Sequence, residues 1–418
     1  MKKASRWLWG LARFALGAGI VVLLLRRIDS GSVRVTFAVP ATSVCEGAVY
    51  ADASDPARRY LVLEALVQGR ELRALAQPPA GAQAPASGAL QRVAGGGPDR
   101  LAWSACRSAP CGLRLLGHAF RGAAHAWPLL VLAVGTYLVC LCLVAVRWRC
   151  ILVAQGLPLA WGKTLKYLFI GQFFNAFMFG ATGGDVVKAY YVSRETHGRK
   201  TEAAATVFVD RATGMVALAI LAAGFMLLRW DLFIASVEGR YALVFVGAMA
   251  AACLLGFALL WSVDRLTRAG GAPARLARSR PGQMALRVHA AFYGCFTHPA
   301  LLAKTLAASV LNQLAILFMM YCLGTALAME RPFLDYLAIG PTVNSIGAVP
   351  ITPGGLGLRE YAAVTYFALV GVPATKAFAL SLSVYATMLL WSLVGGLVFL
   401  FSGGSSAEVL KESAAEER

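Results

Sequence analysis

Residues 336–358 read YLAIGPTVNSIGAVPITPGGLGL and are long and apolar enough to cross a bilayer, yet they contain helix breakers throughout. The segment holds three prolines and five glycines: Pro341, Pro350, Pro353, Gly340, Gly347, Gly354, Gly355 and Gly357. Proline removes a backbone donor, and a glycine inside a helix costs about 1 kcal/mol relative to alanine. Broken backbone at membrane depth is stable only where protein or a water-filled cavity satisfies its polar groups. The segment therefore predicts a turning point inside a membrane domain.

A second apolar segment, residues 167–182, also avoids charge and is shorter than the about 20 residues that a spanning helix needs. It contains Gln172 and Asn175 and runs into the sequence Gly180-Ala-Thr-Gly-Gly-Asp185. We predict that both segments turn back as re-entrant hairpins, the first entering from the cytoplasm and the second from outside. Broken segments that enter from opposite faces surround the midplane site of an inverted-repeat transporter. The alternative, two ordinary kinked spanning helices in each half, gives the same topology.

The composition also indicates a membrane domain. Hydrophobic residues make up 58% of the 418 residues and charged residues 14%, against roughly 25% charged in soluble domains, so a soluble protein is excluded. Six further stretches are apolar enough to span: Trp7–Leu25, Trp127–Val146, Ala204–Leu228, Tyr241–Val263, Thr305–Met329 and Ala377–Ser402. We predict an α-helical polytopic membrane protein with about six spanning helices and two re-entrant or broken helical hairpins that can form an inverted repeat.

The net charge of +18 lies mostly in short segments beside the spans. Because basic residues mark cytoplasmic loops, we predict a multi-pass protein with both termini cytoplasmic and residues 28–125 extracytoplasmic. The first span follows Lys2, Lys3 and Arg6 and also resembles a secretory signal peptide. No small-x-small cleavage site lies at residues 26–29, so we favour an uncleaved signal anchor.

These boundaries predict four parts: a signal anchor at 1–27, an insert at 28–125, a transmembrane domain at 126–402 and a tail at 403–418. Short strands are predicted in the insert, for example Ser32–Val39, Tyr60–Val67 and Leu113–Gly117. We expect a small β-rich domain with a disordered loop at Gln77–Gly88. An oxidising compartment favours one disulfide among three cysteines of the insert, and the sequence does not choose the pair: Cys45, Cys106 and Cys111.

Three acid–base couples lie where a membrane protein should carry no charge. They flank the two helix breaks or fall in the span after the first: Asp185 with Lys188, Asp210 with Arg211, and Arg359 with Glu360. Charges inside a membrane are costly, and each needs a partner or a wet cavity. We predict that the three cations bind the phosphate of a lipid headgroup and that the three carboxylates hold them when no lipid is bound. The alternative is that these pairs lock helices together or reach the membrane surface.

Polar and flexible residues around the breaks complete the predicted pathway: Asn175, Gly183, Gly184, Asn344, Pro350, Pro353, Gly354, Gly355 and Gly357. Glycine turns offer backbone N–H groups, and helix N-termini favour anions. Hydrogen bonds between helices explain the asparagines about as well as a polar pathway does.

Four motifs carry a resemblance to a known family. They are Gly171-Gln-x-x-Asn175, Gly183-Gly-Asp185-Val-Val-Lys188-Ala, Asp210-Arg211-x-x-Gly214 and Pro350-x-Thr-Pro353-Gly-Gly-Leu-Gly-Leu-Arg359-Glu360. Over about residues 127–402 the chain resembles the lysylphosphatidylglycerol synthase transmembrane-region family, also called the flippase-like domain family. The resemblance implies a polytopic inner-membrane protein that moves phospholipids or lipid-linked headgroups between leaflets. The insert departs from the family's compact pattern, and the tail after Ser402 is too short for the aminoacyl-transferase domain of bifunctional members.

We therefore predict a lipid translocase and not an enzyme, with no catalytic residues, no cofactor, no metal site and no nucleic-acid partner. Expected partners are a phospholipid or polyprenyl-linked lipid, the membrane itself, and an enzyme that modifies lipids or synthesises glycans. One alternative is a membrane glycosyltransferase with a polyprenyl-phosphate donor, for which Asp52 and Asp55 are candidate residues. Another is an envelope scaffold that acts through the insert.

Overall fold

A computed structural model of the chain describes residues 18–25, six strands between residues 33 and 107, and most of residues 112–402. The last part has gaps at residues 178–182, 197–198, 269–288, 291–292, 294–297, 350–351 and 353–354. Residues 18–25 are helical, and Leu24 among them is buried. The rest of the predicted first span lies outside the described residues.

The strands form an antiparallel closed barrel with the order β1-β4-β3-β2-β5-β6. Their bounds are β1 Val33–Ala38, β2 Val49–Asp52, β3 Arg59–Gln68, β4 Glu71–Gln77, β5 Gly88–Ala94 and β6 Arg100–Arg107. Val35 of β1 pairs with Ala74 of β4 on one side and with Cys106 of β6 on the other. Closure leaves no strand edge unpaired. Cys45 and Cys111 lie outside the described residues, so the disulfide stays a prediction.

The strand expected at Leu113–Gly117 is wrong, because these residues belong to helix α1, Gly112–His125. Apolar residues recur there at helical spacing, with Leu116, Phe120 and Ala123 separated by four and three positions. That period places them on one face of a helix, whereas a strand needs alternation. The predicted strand Leu113–Gly117 is too short to show this helical period.

Five long helices are apolar and long enough to cross a membrane within the described residues. They are α2 Trp127–Ala154, α5 Lys200–Leu228, α7 Val237–Arg268, α8 Pro299–Ala326 and α11 Ala374–Phe401, with a short α6 at Trp230–Ile234 between α5 and α7. At 1.5 Å per residue, a 28-residue helix is about 42 Å long, against roughly 30 Å of hydrocarbon. The helices therefore continue beyond the predicted apolar stretches into the headgroup region.

Four shorter helices form two helical hairpins. Hairpin 1 consists of α3 Trp161–Phe177 and α4 Gly183–Glu195, and hairpin 2 of α9 Phe333–Gly347 and α10 Leu358–Phe367. In hairpin 1 the first and last turns meet, because Lys163 and Tyr167 both donate hydrogen bonds of 2.7 Å to Glu195. In hairpin 2 the ring centroids of Tyr336 and Phe367 lie 5.4 Å apart. Both segments therefore break and fold back where the sequence predicted a turn.

Glycine permits the close backbone contact inside each hairpin. A Cβ atom at Gly184 would lie 1.8 Å from the carbonyl oxygen of Gly171, so only glycine fits where α3 and α4 cross. In hairpin 2, Gly355 has φ +73°, and a Cβ there would lie 2.3 Å from the carbonyl oxygen of Gly347. Glycine adopts this left-handed backbone without steric cost.

The same order of elements occurs twice: a long helix, two short ones and a long helix. The first set is α2-α3-α4-α5 and the second is α8-α9-α10-α11. Helix α2 packs against α8, α3 packs against α11, and α9 packs against α5, so each hairpin lies against the last helix of the other set. On α11, Trp391 donates to the carbonyl of Val134 in α2 (3.0 Å) and Ser392 to the carbonyl of Gln172 in α3 (3.1 Å).

Candidate functional site

A cavity of about 260 Å³ lies between the tips of the two hairpins and the middle of α11. At roughly 30 Å³ for each liquid water, it has room for about nine waters. Its lining comes from both hairpins and from α5 and α11: Gln172, Asn175, Ala176, Arg211, Gly347, Ala348, Val349, Thr352, Gly355, Tyr385, Met388, Leu389 and Ser392. The two breaks in the backbone thus share one polar space.

Side-chain amides hold the tip of hairpin 1. The Asn175 Oδ1 atom accepts a hydrogen bond of 2.9 Å from the backbone N–H of Gly184, at the start of α4. The Gln172 amide donates to the Tyr137 hydroxyl at 3.0 Å, which ties α3 to α2. Asn175 therefore satisfies one of the N–H groups that the first turn of a helix leaves without a partner.

Asp185, in the first turn of α4, binds two cations. Its Oδ1 atom lies 3.3 Å from Lys188 Nζ, and its Oδ2 atom forms an ion pair with Arg211 Nε of α5. The Lys188 stem lies over Gly171, and its ammonium is 5.4 Å from the centroid of the Trp148 ring. Asp185 and Lys188 are buried, whereas 43% of the Arg211 side chain is exposed. The carboxylate therefore holds Arg211 where it lines the cavity.

Asp210 does not pair with Arg211, and the predicted couple is wrong. Its carboxylate lies 2.7 Å from Arg147 Nε of α2, and the same guanidinium donates to Ser309 Oγ of α8 at 3.0 Å. Neighbouring residues on a helix do not face each other, so Asp210 and Arg211 contact different partners. Gly214 leaves room for this guanidinium, because a Cβ there would lie 3.0 Å from Arg147 Nη1.

Arg147 is a buried charge that the sequence reasoning missed. The predicted second span, Trp127–Val146, ends one residue before Arg147, yet α2 continues to Ala154 and leaves Arg147 only 6% exposed. A signal was present, because Ala133, Tyr137 and Cys140 precede it on one helical face at four- and three-residue steps. Extending that face beyond Val146 leads to Arg147, seven residues after Cys140.

Hairpin 2 carries the Arg359–Glu360 couple at the start of α10. Glu360 accepts hydrogen bonds from the Gly357 N–H (2.5 Å) and from Ser381 Oγ (3.0 Å), and it lies 3.4 Å from Arg359 Nη2. The Arg359 guanidinium lies 5.4 Å from the centroid of the Tyr385 ring, a cation–π contact. Both charged residues are buried, at 6% and 1% exposure, and Tyr385 connects them to the cavity.

The structure therefore brings only part of the predicted site to the cavity. Of the six predicted headgroup residues, Arg211 lines it, while Asp185, Lys188, Arg359 and Glu360 lie behind it and Asp210 belongs to a separate network. Of the predicted pathway residues, Asn175 and Gly355 line the cavity, and Asn344 lies with Arg359 in a smaller space beside it. Gly183 and Gly184 begin α4, and Gly357 precedes α10. Pro350, Pro353 and Gly354 lie outside the described residues.

Thr352, Tyr385 and Ser392 line the cavity and were not among the predicted site residues. Thr352 falls within the Pro350-x-Thr-Pro353 motif, whereas no local motif identifies Tyr385 and Ser392, which only the packing of α11 against the hairpins brings to the cavity. In the part of the chain that the structure describes, no group of three or more His, Cys, Asp or Glu residues is placed to hold a metal ion.

Five apolar helices around two broken hairpins, with charged residues buried at the breaks, define a polytopic membrane protein with an internal polar cavity. The family model described as the lysylphosphatidylglycerol synthase TM region matches residues 101–396, and the chain belongs to this family. The match begins inside β6, so most of the barrel precedes it.

One relative is similar over about two thirds of the chain. The UPF0104 membrane protein PH1989 of Pyrococcus horikoshii is 24% identical over 296 residues, which cover 65% of this chain and 86% of the relative. No solved structure matches the chain. Family and relative agree that the chain is a membrane protein.

Proposed function

We propose that the protein is a lipid translocase that moves a phospholipid or lipid-linked anionic headgroup between leaflets through the cavity between the hairpins. The observation that carries this proposal is the position of Arg211. It is a half-exposed cation at a polar cavity between the two hairpins, and the other lining residues that the structure describes carry no charge. The protein acts without covalent chemistry, as a transporter and not as an enzyme.

Arg211 is suited to bind a phosphate group reversibly. A guanidinium stays charged at any physiological pH and binds two phosphate oxygens at once. Without lipid, the Asp185 carboxylate occupies the guanidinium, which avoids an unpaired charge in the membrane. A phosphate competes for the same N–H groups, and Asp185 then keeps Lys188 as its partner. The site therefore binds an anion reversibly.

The acyl chains have an apolar surface beside the cavity. On α11, Leu389 and Ser392 line the cavity, while Leu390 and Leu393 are exposed on the outside of the protein. One helix thus separates the polar space from a lipid-facing surface. In the proposed mechanism the headgroup passes through the cavity while its chains stay in the bilayer.

The lengths and contacts of the two hairpins support a re-entrant course. Helix α3 is about 26 Å long and α10 about 15 Å, both shorter than the roughly 30 Å of hydrocarbon, and the ends of each hairpin meet. We therefore propose that both hairpins are re-entrant and that the repeated order of elements is an inverted repeat. With basic segments inside, both termini are cytoplasmic and residues 28–125 extracytoplasmic, in the inner membrane.

The test is leaflet exchange in vesicles. The full chain is reconstituted with phosphatidylglycerol that carries a fluorophore on one acyl chain, and a membrane-impermeant quencher reports the fraction in the outer leaflet over time. Arg211→Ala should slow exchange at least about tenfold, since a lost charge-assisted hydrogen bond is worth about 1.5–3 kcal/mol. Arg240→Ala, at an exposed arginine near the start of α7, is the matched control and should exchange at the wild-type rate. Equal exchange in Arg211→Ala and wild type would remove the proposal.

A further inference from the structure

We infer that Arg359 and Asn344 form a second, enclosed binding site for the phosphate group of the transported lipid. The site lies in the smaller space beside the cavity, here called the inner space, and Tyr385 and Met388 of α11 separate the two. This inference rests on the proposed translocation and adds a second binding site to its path. The phosphate exchanges between Arg211 and Arg359 when the separating side chains move.

The inner space contains donors that lack strong partners. Asn344, Arg359 and Ser381 are among the residues that line it. The Asn344 Nδ2 atom is buried and has no hydrogen-bond partner in the part of the chain that the structure describes. The Arg359 guanidinium is also buried, and its contacts with Ser381 Oγ and Glu360 Oε1 are both 3.4 Å long. Charge-assisted hydrogen bonds of a guanidinium are shorter, at about 2.7–2.9 Å, so both groups can take a further acceptor.

These two groups determine which ligand fits. A guanidinium carries N–H donors and no acceptor, and the Nδ2 atom of an amide also only donates. Because buried donors are normally paired, the ligand must bring acceptor oxygens. A phosphate group has several, and its negative charge suits a buried guanidinium that can bind two of them at once. An ammonium brings donors only and would leave both groups without an acceptor.

The neighbouring carboxylate does not obstruct this site. Glu360 is not among the residues that line the inner space. Its oxygens accept hydrogen bonds from the Gly357 N–H (2.5 Å) and from Ser381 Oγ (3.0 Å). Glu360 keeps these two partners when Arg359 binds a phosphate, so the exchange leaves no buried carboxylate without hydrogen bonds.

The two hairpins carry matching charge pairs. In hairpin 1, Asp185 in the first turn of α4 forms an ion pair with Arg211. In hairpin 2, Glu360 in the first turn of α10 lies beside Arg359. Each pair combines a carboxylate that follows the break with one cation. The repeated order of elements therefore supplies two arginines, one for each of two phosphate sites.

Tyr385 and Met388 form the wall between these sites. Both line the cavity that Arg211 also lines, and both contact Arg359: the ring centroid lies 5.4 Å from its guanidinium and Met388 Sδ lies 3.4 Å from Nη1. The wall is thus one side chain thick. A thioether is a weak acceptor on a flexible side chain, so a phosphate oxygen can replace it. In this conformation the inner space does not admit a water molecule, so the structure shows the site closed.

Reporter cysteines measure access to the two spaces in the reconstituted full chain. Ala348→Cys places a thiol in the cavity and Ala363→Cys places one in the inner space. The probe is an anionic methanethiosulfonate, and mass spectrometry of the peptide around each reporter distinguishes it from the native cysteines. We expect Ala363→Cys to react at least about tenfold more slowly than Ala348→Cys, because the wall must open first.

Opening the wall should remove this difference. Tyr385→Ala should accelerate the reaction at Ala363→Cys at least about fivefold, because it deletes the larger side chain of the wall. Leu390→Ala, on the outer surface of the same helix, is the matched control and should leave the rate unchanged. An inner reporter that reacts as fast as the cavity reporter before this change would contradict the wall.

Protection of the reporters measures binding of phosphate. Phosphatidylglycerol and inorganic phosphate are added over the same concentration range, and phosphatidylglycerol should slow modification at both reporters. Asn344→Leu should raise the concentration for half-maximal protection at Ala363→Cys at least about tenfold, the factor that one lost hydrogen bond to a charged group gives. Protection at Ala348→Cys should stay unchanged. Because the Asn344 Nδ2 atom has no partner in the described part of the protein, a purely structural role predicts no loss of binding.

The outcomes separate the inner site from the function on which it rests. Protection by phosphatidylglycerol at Ala348→Cys but not at Ala363→Cys would overturn the inner site and leave translocation standing. Protection at Ala363→Cys by inorganic phosphate alone would also overturn it, because the site would then lie off the path of the lipid. Unchanged protection in Asn344→Leu would refute the assigned donor. Absence of protein-dependent exchange of phosphatidylglycerol in wild type, eluting as one folded species in detergent, would remove the proposed function itself.

Discussion

Arg147 of α2 and Asp210 of α5 form a buried ion pair with 2.7 Å between Nε and Oδ1. The guanidinium also donates to Ser309 of α8, so a single arginine joins three of the five long helices. Breaking a buried pair by removing one partner leaves an uncompensated charge, whereas removing both charges together does not. Arg147 and Asp210 therefore hold helices together, whereas Arg211 lines the cavity.

We therefore predict that Arg147→Met and Asp210→Leu each destabilise the protein by about 3–5 kcal/mol, because each leaves the other charge buried and alone. The double variant should recover most of this loss. Thermal unfolding in detergent, followed by circular dichroism, measures the effect. Lys163→Met, which breaks an exposed ion pair with Glu195, serves as the control and should cost at most about 1 kcal/mol. A double variant no more stable than the single variants would contradict the assignment.

Asp185→Asn should strengthen anion binding at Arg211. The amide cannot hold the guanidinium as a carboxylate does, so a phosphate no longer competes with a charged partner. In wild type, a phosphate must displace the Asp185 carboxylate from Arg211, which costs about 1–2 kcal/mol. Without this cost, we expect the apparent affinity of Asp185→Asn for phosphatidylglycerol to be about tenfold higher than that of wild type. Titration of the purified protein with this lipid in detergent, followed by intrinsic fluorescence, gives the affinity. Weaker binding in the variant would show that Asp185 contacts the lipid directly or supports the site.

Gly184→Ala should disrupt hairpin 1. The added Cβ would lie 1.8 Å from the carbonyl oxygen of Gly171, so the two helices must separate, at a cost of about 1–3 kcal/mol or more. Gly224→Ala, in α5 with open space around its Cβ, is the matched control and should be neutral or stabilise by up to about 1 kcal/mol. Melting temperatures of the two variants in detergent make the comparison. Equal melting temperatures would argue against the close crossing of α3 and α4.

The stability that Glu195 contributes at the ends of hairpin 1 should decrease at acidic pH. The hydrogen bond from Lys163 lowers the pKa of Glu195, and the bond from Tyr167 lowers it further. A carboxyl whose folded-state pKa is depressed adds stability above its unfolded-state pKa and loses it as the pH falls through the folded-state value. Wild type should thus be more stable than Glu195→Gln at pH 7, by at most about 1 kcal/mol in the free energy of unfolding, as measured by thermal unfolding. This advantage should shrink as the pH falls below the ordinary pKa of glutamate, about 4.3. A constant difference between them from pH 7 to pH 3.5 would refute this role.

The sequence predicted the apolar helices and the two breaks because each depends on composition along a short stretch. The stretch before Asp185 is rich in glycine, which disfavours a continuous helix, and in the structure α3 ends at Phe177 and α4 begins at Gly183. The ion pairs were harder, since proximity in the chain is not proximity on a helix: Asp210 and Arg211 are adjacent and contact different partners. Asp185, by contrast, pairs with Lys188 as predicted, because a spacing of three residues brings side chains together.

Part of the cavity lining could not be predicted from local sequence. Tyr385 and Ser392 lie in an apolar helix with nothing in the neighbouring sequence to distinguish them, and Thr352 gains its role from a turn in another hairpin. Helical periodicity would have predicted that Arg147 is buried if the second span had been extended beyond Val146. Periodicity within one helix is readable from sequence, whereas packing between distant helices depends on contacts that no single stretch encodes.

The contact between Gly171 and Gly184 has a mechanical consequence. Two helices whose backbones are in contact at their crossing cannot slide or bend independently without a steric clash, so α3 and α4 move together as a rigid unit. Any rearrangement that widens the cavity must therefore move hairpin 1 as a unit against α11, where Ser392 donates a hydrogen bond to the carbonyl of Gln172.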